Sequence, residues 1–389
     1  MIKPEKALKI ILERARPLGI EEINLVDSLG RVLAEKVYSD IDIPAFNRSA
    51  MDGFAVNSKD LSKVFEIIED IPAGYVPKKK IKFGQCARIM TGAMLPIGTD
   101  KVVKVENTKL TADGLKITAL EKKLNVSLRG EDVKKGELVL DKGTKIRPQE
   151  GAMLATVGKT SVKVYRRPKV AVISTGSELV EPSQKPAAGQ IRNSNGTMLL
   201  FLLKRFGTEI NYFGIAPDDF LTTKEMIEKA LKTADIVILS GGVSVGDYDF
   251  VSKALNECGV DILFDRVAIQ PGKPTTFGVK GDKYVFGLPG NPVSVFVSFE
   301  LFVTSLINGL TNRKEGNKYI DAVLTGDFER KNAERELYYP VGLLAGYAVP
   351  LKFHGSGHLF SLASCNALMR VKKGIKFLKN GETVNVRPI

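Results

Sequence analysis

The chain has 389 residues, of which 44% are hydrophobic and 26% charged, so disorder is excluded and about two to four domains are expected. A formal charge of +13 favours anionic partners, but the longest basic run is Lys78-Lys79-Lys80, Trp is absent and aromatics do not interleave with basic residues, which argues against nucleic acid and for a small phosphorylated ligand. Cys86, Cys258 and Cys365 are too few and too scattered for a disulfide framework or a zinc knuckle; charges interrupt residues 1–19 where a signal peptide would need an apolar stretch, and the apolar run 293–307 is too short for a bilayer, so a cytoplasmic protein without a membrane partner is expected.

Leu8, Ile11, Leu12, Ala15 and Leu18 recur at helical spacing and predict one amphipathic helix, closed by Pro17 and Gly19. From Asp40 to about Lys163, short β-rich runs (101–105, 115–119, 137–140) alternate with Gly and Pro turns, the pattern of small β-containing modules. Arg166-Arg167-Pro168 reads as a boundary. Beyond it strands at 169–174, 209–215, 235–239 and 285–288 alternate with helices at 197–206, 222–234, 250–256 and 292–310, the third helix following a glycine-rich loop. Thr222 and Glu225 have capping-box spacing. This alternation indicates a mostly parallel sheet covered on both faces, with ligands beyond the carboxyl ends of its strands. Strands at 319–324, 338–344, 367–371 and 383–386 then read as a small β-barrel or sandwich.

The loops after the central strands carry the candidate chemistry. Ser240-Gly241-Gly242-Val243-Ser244-Val245-Gly246 follows a buried strand and precedes a helix, so it reads either as a phosphate cradle or as an ordinary tight turn. Asp247 and Asp249 lie just after it, Glu178 and Asp218-Asp219 after two other strands. Each acid alone is more often a helix cap than a ligand; three converging on one sheet edge favour a cation site, and beside a phosphate loop that cation would be Mg²⁺. Gln270-Pro271-Gly272-Lys273-Pro274 holds Lys273 between prolines, either to aim an ammonium at an oxyanion or as a solvent-facing turn. Pro289-Gly290-Asn291-Pro292 is a rigid strand-to-helix turn. His354 and His358 have helical metal-pair spacing, but Gly355 and Gly357 argue against a helix there.

Taken in order, Pro44 to Val56, Arg88 to Ala93, Arg129-Gly130-Glu131-Asp132 with Gly136, Ser174 to Leu179, Ser240 to Asp249, Pro271 to Pro274 and Gly287 to Ser294 resemble the molybdopterin molybdenumtransferase family. These are the molybdate insertases of molybdenum-cofactor synthesis, which include the C-terminal region of gephyrin. The resemblance implies an α/β multidomain protein: a split helical/β domain (1–43 plus 135–166), an inserted β-rich domain (44–134), a central doubly wound, mostly parallel sheet domain (167–314) and a C-terminal small β-barrel (315–389). It also implies a homodimer whose active sites are shared between subunits, and a Mg²⁺-dependent reaction of adenylylated molybdopterin with molybdate that releases AMP. A separate molybdopterin adenylyltransferase would supply that substrate. Carried over by position, Asp52, Thr91, Lys273, Arg335 and Ser361 are the expected catalytic residues. Glu178, Ser194, Gly241, Gly242, Ser244, Pro289 and Pro292 are expected to bind the substrate, and Glu178, Asp218 and Asp249 the metal. Two positions depart from the family pattern: Gln270 stands where many relatives have Lys, and Asn193 replaces an acid common before Ser194-Asn195. The alternatives are a molybdopterin adenylyltransferase, which shares the doubly wound domain, and a non-catalytic gephyrin-like scaffold.

Overall fold

The computed structural model describes residues 1–119, 121–242, 250–313 and 318–389. In the strand Lys169–Thr175, Val170 and Val172 point into one core and Ala171 and Ile173 into another, all four fully buried. A strand without a polar face has to be covered on both sides. Ile236–Ser240 repeats the pattern, Ile236 and Ile238 facing one core and Val237 and Leu239 the other. The sheet runs Glu209–Ala216, Lys169–Thr175, Ile236–Ser240, Lys283–Leu288, Thr276–Lys280, Asp261–Phe264. The first four strands are parallel, Thr276–Lys280 runs against them, and Asp261–Phe264 runs against Thr276–Lys280. Helices Ser194–Arg205 and Pro292–Leu310 cover one face through Leu199, Leu203, Val295 and Phe302, while Phe220–Thr233 and Phe250–Glu257 cover the other through Ile227, Leu231, Ala254 and Leu255. The doubly wound, mostly parallel sheet expected from the alternation is therefore present. The strands Thr276–Lys280 and Asp261–Phe264 were not legible, being short and separated by the proline-bracketed loop.

Pro292–Leu310 is apolar all round because it is enclosed between the sheet and the N-terminal helix. Among the described residues it is the single helix long and apolar enough to cross a membrane, and 83% of it is buried inside the protein. A π-helical turn at Phe299–Val303 interrupts it and carries Glu300, 2% exposed, which pairs with Arg205 and Arg387. The N-terminal helix Pro4–Arg14 packs against this long helix with a stripe of Ala7, Ile11 and Ala15; Leu12, expected on that stripe, is 53% exposed. Small residues set the rotation: a Cβ added to Gly309 would lie 2.6 Å from the Ala15 Cβ, so the helices meet where they are thinnest. The cap of Phe220–Thr233 is also corrected. Asp219, not Thr222, is the N-cap, accepting from the Thr222 N–H at 2.7 Å.

Before the central sheet, Ile20–Asn24 pairs with Ser161–Tyr165 and Val37–Tyr38 with Leu138–Leu140, so the two ends of the N-terminal region fold together. Between them lies a four-stranded sheet of Glu66–Ile71, Gln85–Ile89, Gly53–Val56 and Lys101–Lys104. After the central sheet, Glu336–Leu344, Tyr347–Pro350, Ile320–Leu324, Thr383–Pro388 and Ala367–Val371 pair in that order and back to the first, closing a barrel. Ile269–Gln270 from the central region adds to Glu336–Leu344 in parallel and ties the two together. The cysteines are free thiols, and burial pushes Cys86 up to about 12 and Cys365 to about 11, which keeps both unreactive.

Candidate functional site

The chain leaves Lys169–Thr175, adds Glu209–Ala216 on one side and then crosses to Ile236–Ser240 on the other, so the winding reverses between the strands ending at Thr175 and Ser240. Connections diverge at such a point and leave a crevice. A cavity of about 570 Å³ opens there, lined by Thr175, Glu178, Asn193, Ser194, Asn195, Asp218, Ser240, Gly241, Gly242, Gly290 and Pro292, with Gly357 and Leu359 from the C-terminal region. Gly241 and Gly242 have φ of 95° and 60°, and a Cβ on Gly241 would lie 2.5 Å from the Thr175 carbonyl oxygen. Only glycine turns so sharply that close to the neighbouring strand.

Asp218 is fixed by a reciprocal pair: Ser177 N–H donates to Asp218 Oδ2 at 2.9 Å, and Asp218 N–H donates to Ser177 Oγ at 2.9 Å. Glu178 follows directly and shares the cavity wall. Because Asp219 performs the helix capping, Asp218 is left to the cavity. On the facing wall Asn193, 2% exposed, caps Ser194–Arg205 by accepting from Gly196 N–H at 2.9 Å. Its Nδ2 donates to Ser174 Oγ and to the Tyr212 hydroxyl, each at 2.9 Å, and Tyr212 in turn donates to Glu181 at 2.7 Å. Burial, reinforced by the bond to Glu181, pushes the Tyr212 hydroxyl up to about 12. Asn193 thus positions the helix start that carries Ser194; its own polar atoms are spent inside the protein.

The other expected residues fall into separate groups. Thr91 donates to Asp52 Oδ1 through its backbone N–H at 2.7 Å and its hydroxyl at 2.6 Å, and the hydroxyl first, then the N–H, hold the Asp52 carboxyl below its ordinary value. This exposed pair belongs to the N-terminal region and is not on the cavity wall. The loop of Lys273 is not a simple solvent-facing turn. Pro271 and Gly272 are buried, Thr275 Oγ1 bonds the Gly272 carbonyl at 2.7 Å and Ser298 at 2.9 Å, and Lys273 itself remains exposed. Arg335 braces the same loop by donating to the Ile269 carbonyl at 3.0 Å. Ser361 is buried and donates to the His358 carbonyl at 2.6 Å, within its own turn. Pro289 is buried beside the cavity wall, to which Gly290 contributes instead. His354 and His358 form no helix; their rings stack with centroids 5.1 Å apart. Ser244, Asp247 and Asp249 lie outside the described residues. Among the described residues no group of three His, Cys, Asp or Glu is arranged to hold a metal ion, so of the expected trio only Glu178 and Asp218 are placed on the cavity. Asn195, Gly357 and Leu359 were not anticipated. Asn195 stood beside a singled-out serine, whereas nothing in the residue type of Leu359 marks it.

A glycine turn, two carboxylates and a capped helix start converging on a switch-point cleft, with a closed barrel attached, define a multidomain α/β enzyme acting on a small charged ligand. The family descriptions "MoeA N-terminal region (domain I and II)", "Probable molybdopterin binding domain" and "MoeA C-terminal region (domain IV)" match residues 2–158, 171–309 and 321–389. The chain is 40% identical to the molybdopterin molybdenumtransferase of Staphylococcus epidermidis over 99% of its own length and 95% of that protein, and 38% identical to that of Bacillus subtilis over 99% and 93%. The crystal structure of a molybdopterin biosynthesis MoeA protein from Pyrococcus horikoshii OT3 superposes over 100% of both chains with a TM-score of 0.87 and 34% identity. The chain belongs to the molybdopterin molybdenumtransferase family, and is a transferase of molybdenum-cofactor biosynthesis.

Proposed function

We propose that the protein inserts molybdate into adenylylated molybdopterin and releases AMP, with Mg²⁺. The observation that carries this reading is the placing of Glu178 and Asp218 together with the Gly241-Gly242 turn on one cleft at the switch point. Two hard oxygen donors suit Mg²⁺, which supplies charge neutralisation at the phosphates when bound. Glu178 and Asp218 would hold it, joined by Asp249. Cleaving a phosphoanhydride needs positioning and charge stabilisation more than covalent catalysis, and this wall is built for positioning: the Ser177–Asp218 pair fixes one acid and Asn193 fixes the helix start. Exposed Lys273, on a loop braced by Arg335, supplies a cation for the tetrahedral oxyanion.

The remaining parts of the reading are a four-domain division at about residues 43, 134, 166 and 314, a cytoplasmic location, a partner adenylyltransferase that makes the substrate, and a homodimer. Val26, Leu29, Tyr38 and Leu138 of the N-terminal region are exposed large hydrophobics that a second copy would cover. In that dimer Asp52 and Thr91 of one subunit complete the cleft of the other. The test is to supply adenylylated molybdopterin and Mg²⁺ and follow AMP. AMP release that requires molybdate, and that activates an apo-molybdoenzyme, is the expected result; release at the same rate without molybdate makes the protein a hydrolase.

A further inference from the structure

Two residues that line the cleft each carry a buried polar atom without a partner. Asn195 Nδ2 donates to the Gly290 carbonyl at 2.6 Å, and because a carbonyl only accepts, this fixes the amide with Oδ1 as its free end. That Oδ1 is buried and meets no donor. Ser240 is 2% exposed, and its buried Oγ also has no partner; the neighbouring Thr175 hydroxyl bonds the Ser240 carbonyl instead, at 3.3 Å. Both residues line the same cavity. Buried polar groups left bare are costly, and the surrounding ones, Asn193 and Asp218, are paired. A ligand in the cavity that reaches these two atoms would complete them.

The chemistry of that ligand follows from the free atoms. Phosphate oxygens are acceptors, and Asn195 Oδ1 would face them with like partial charge. An N–H or O–H satisfies Oδ1, and the Ser240 hydroxyl then either donates or accepts. We propose that Asn195 and Ser240 determine specificity by reading a neutral hydrogen-bond-donor edge of the substrate, so that its heterocycle or ribose rests on them while its phosphates lie toward Glu178 and Asp218. The floor there is bare backbone: a Cβ on Gly290 would lie 3.9 Å from the Gly241 Cα, so no side chain from either residue holds a flat ring away. The proposal rests on the reading of the cleft given above and divides it into a neutral wall and a charged one.

Isothermal titration of the full chain in Mg²⁺ with AMP, 6-hydroxymethylpterin and inorganic pyrophosphate tests it. Ser240→Ala and Asn195→Ala should each weaken binding of AMP or of the pterin about tenfold and leave pyrophosphate unchanged. Which organic probe responds identifies the edge that is read. Ser240→Ala removes no internal hydrogen bond, so its melting temperature should stay at the wild-type value; a fall would assign the hydroxyl to the fold instead. Equal affinities of Ser240→Ala and wild type for all three probes, a loss confined to pyrophosphate, or a wild type that binds neither organic probe overturns the pair. Those outcomes leave the reaction standing as long as wild type releases AMP with molybdate. A wild type that releases none removes the reaction, whatever the pair binds.

Discussion

Adjacent acids do different work here. Asp218 and Asp219 follow the same strand, yet Asp219 accepts from Thr222 N–H and caps the start of the helix, whereas Asp218 is locked to Ser177 and lines the cavity. The two substitutions should therefore separate. Asp219→Ala should lower the melting temperature and leave the Mg²⁺ requirement unchanged. Asp218→Asn should keep the melting temperature and raise the Mg²⁺ concentration for half-maximal AMP release on the order of tenfold or more. A Mg²⁺ titration and a melting curve on each variant check the assignment; a reversed pattern would exchange the roles. The sequence shows both acids but not which one caps, because that depends on where the helix begins, and Thr222 with its capping-box spacing pointed three residues too late.

Packing of helices and strands offers two further tests. At Gly309 an alanine gains about 1 kcal/mol in helix propensity, but its Cβ would lie 2.6 Å from the rigid Ala15 Cβ, and overpacking costs about 1–3 kcal/mol. Gly309→Ala should therefore destabilise in urea unfolding and expose the N-terminal helix to proteolysis. At the start of the sheet Asp235 accepts two bonds from Arg166, at 2.8 and 3.0 Å, and one from Lys169 N–H at 2.7 Å. Burial alone would raise its pKa; the bonds from Arg166 and Lys169 and the charges of Arg166 and Lys283 outweigh that and hold it below the ordinary value. A depressed carboxylate stabilises the fold fully above its unfolded value and loses that contribution as the pH falls through the folded one. Asp235→Asn should cost about 2 kcal/mol near neutral pH. The gap to wild type in urea midpoint should close as the pH drops below the ordinary carboxylate range, and a gap constant with pH would show that the charge is not what matters. Arg166 was legible as a boundary from Arg166-Arg167-Pro168, but its partner 69 residues away was not. The same limit left barrel and sandwich undivided in the C-terminal strand pattern, with only the family resemblance pointing to the barrel, and hid the Ile269–Gln270 link: periodicity marks strands, while pairing between strands is set by contacts distant in sequence.

The assembly supplies the last test. Strand alternation and glycine loops placed one wall of the cleft, yet Asp52 and Thr91 form their own exposed pair in the N-terminal region, away from the cavity wall of the same chain. Either they act in the partner's cleft or they take no part in the reaction. Two-fold symmetry distinguishes these, because each site of a homodimer would then draw on both chains. Asp52→Ala and Asp218→Ala proteins, each inactive alone, should regain activity when mixed in equal amounts and allowed to exchange subunits. Random exchange makes about half the dimers mixed, and each mixed dimer has one site with both acids, so about a quarter of all sites are intact. Roughly a quarter of wild-type AMP release is expected, with exchange confirmed by native mass spectrometry. An active Asp52→Ala protein would remove Asp52 from the reaction. Confirmed exchange without recovery would show that Asp52 and Asp218 do not meet across a subunit interface.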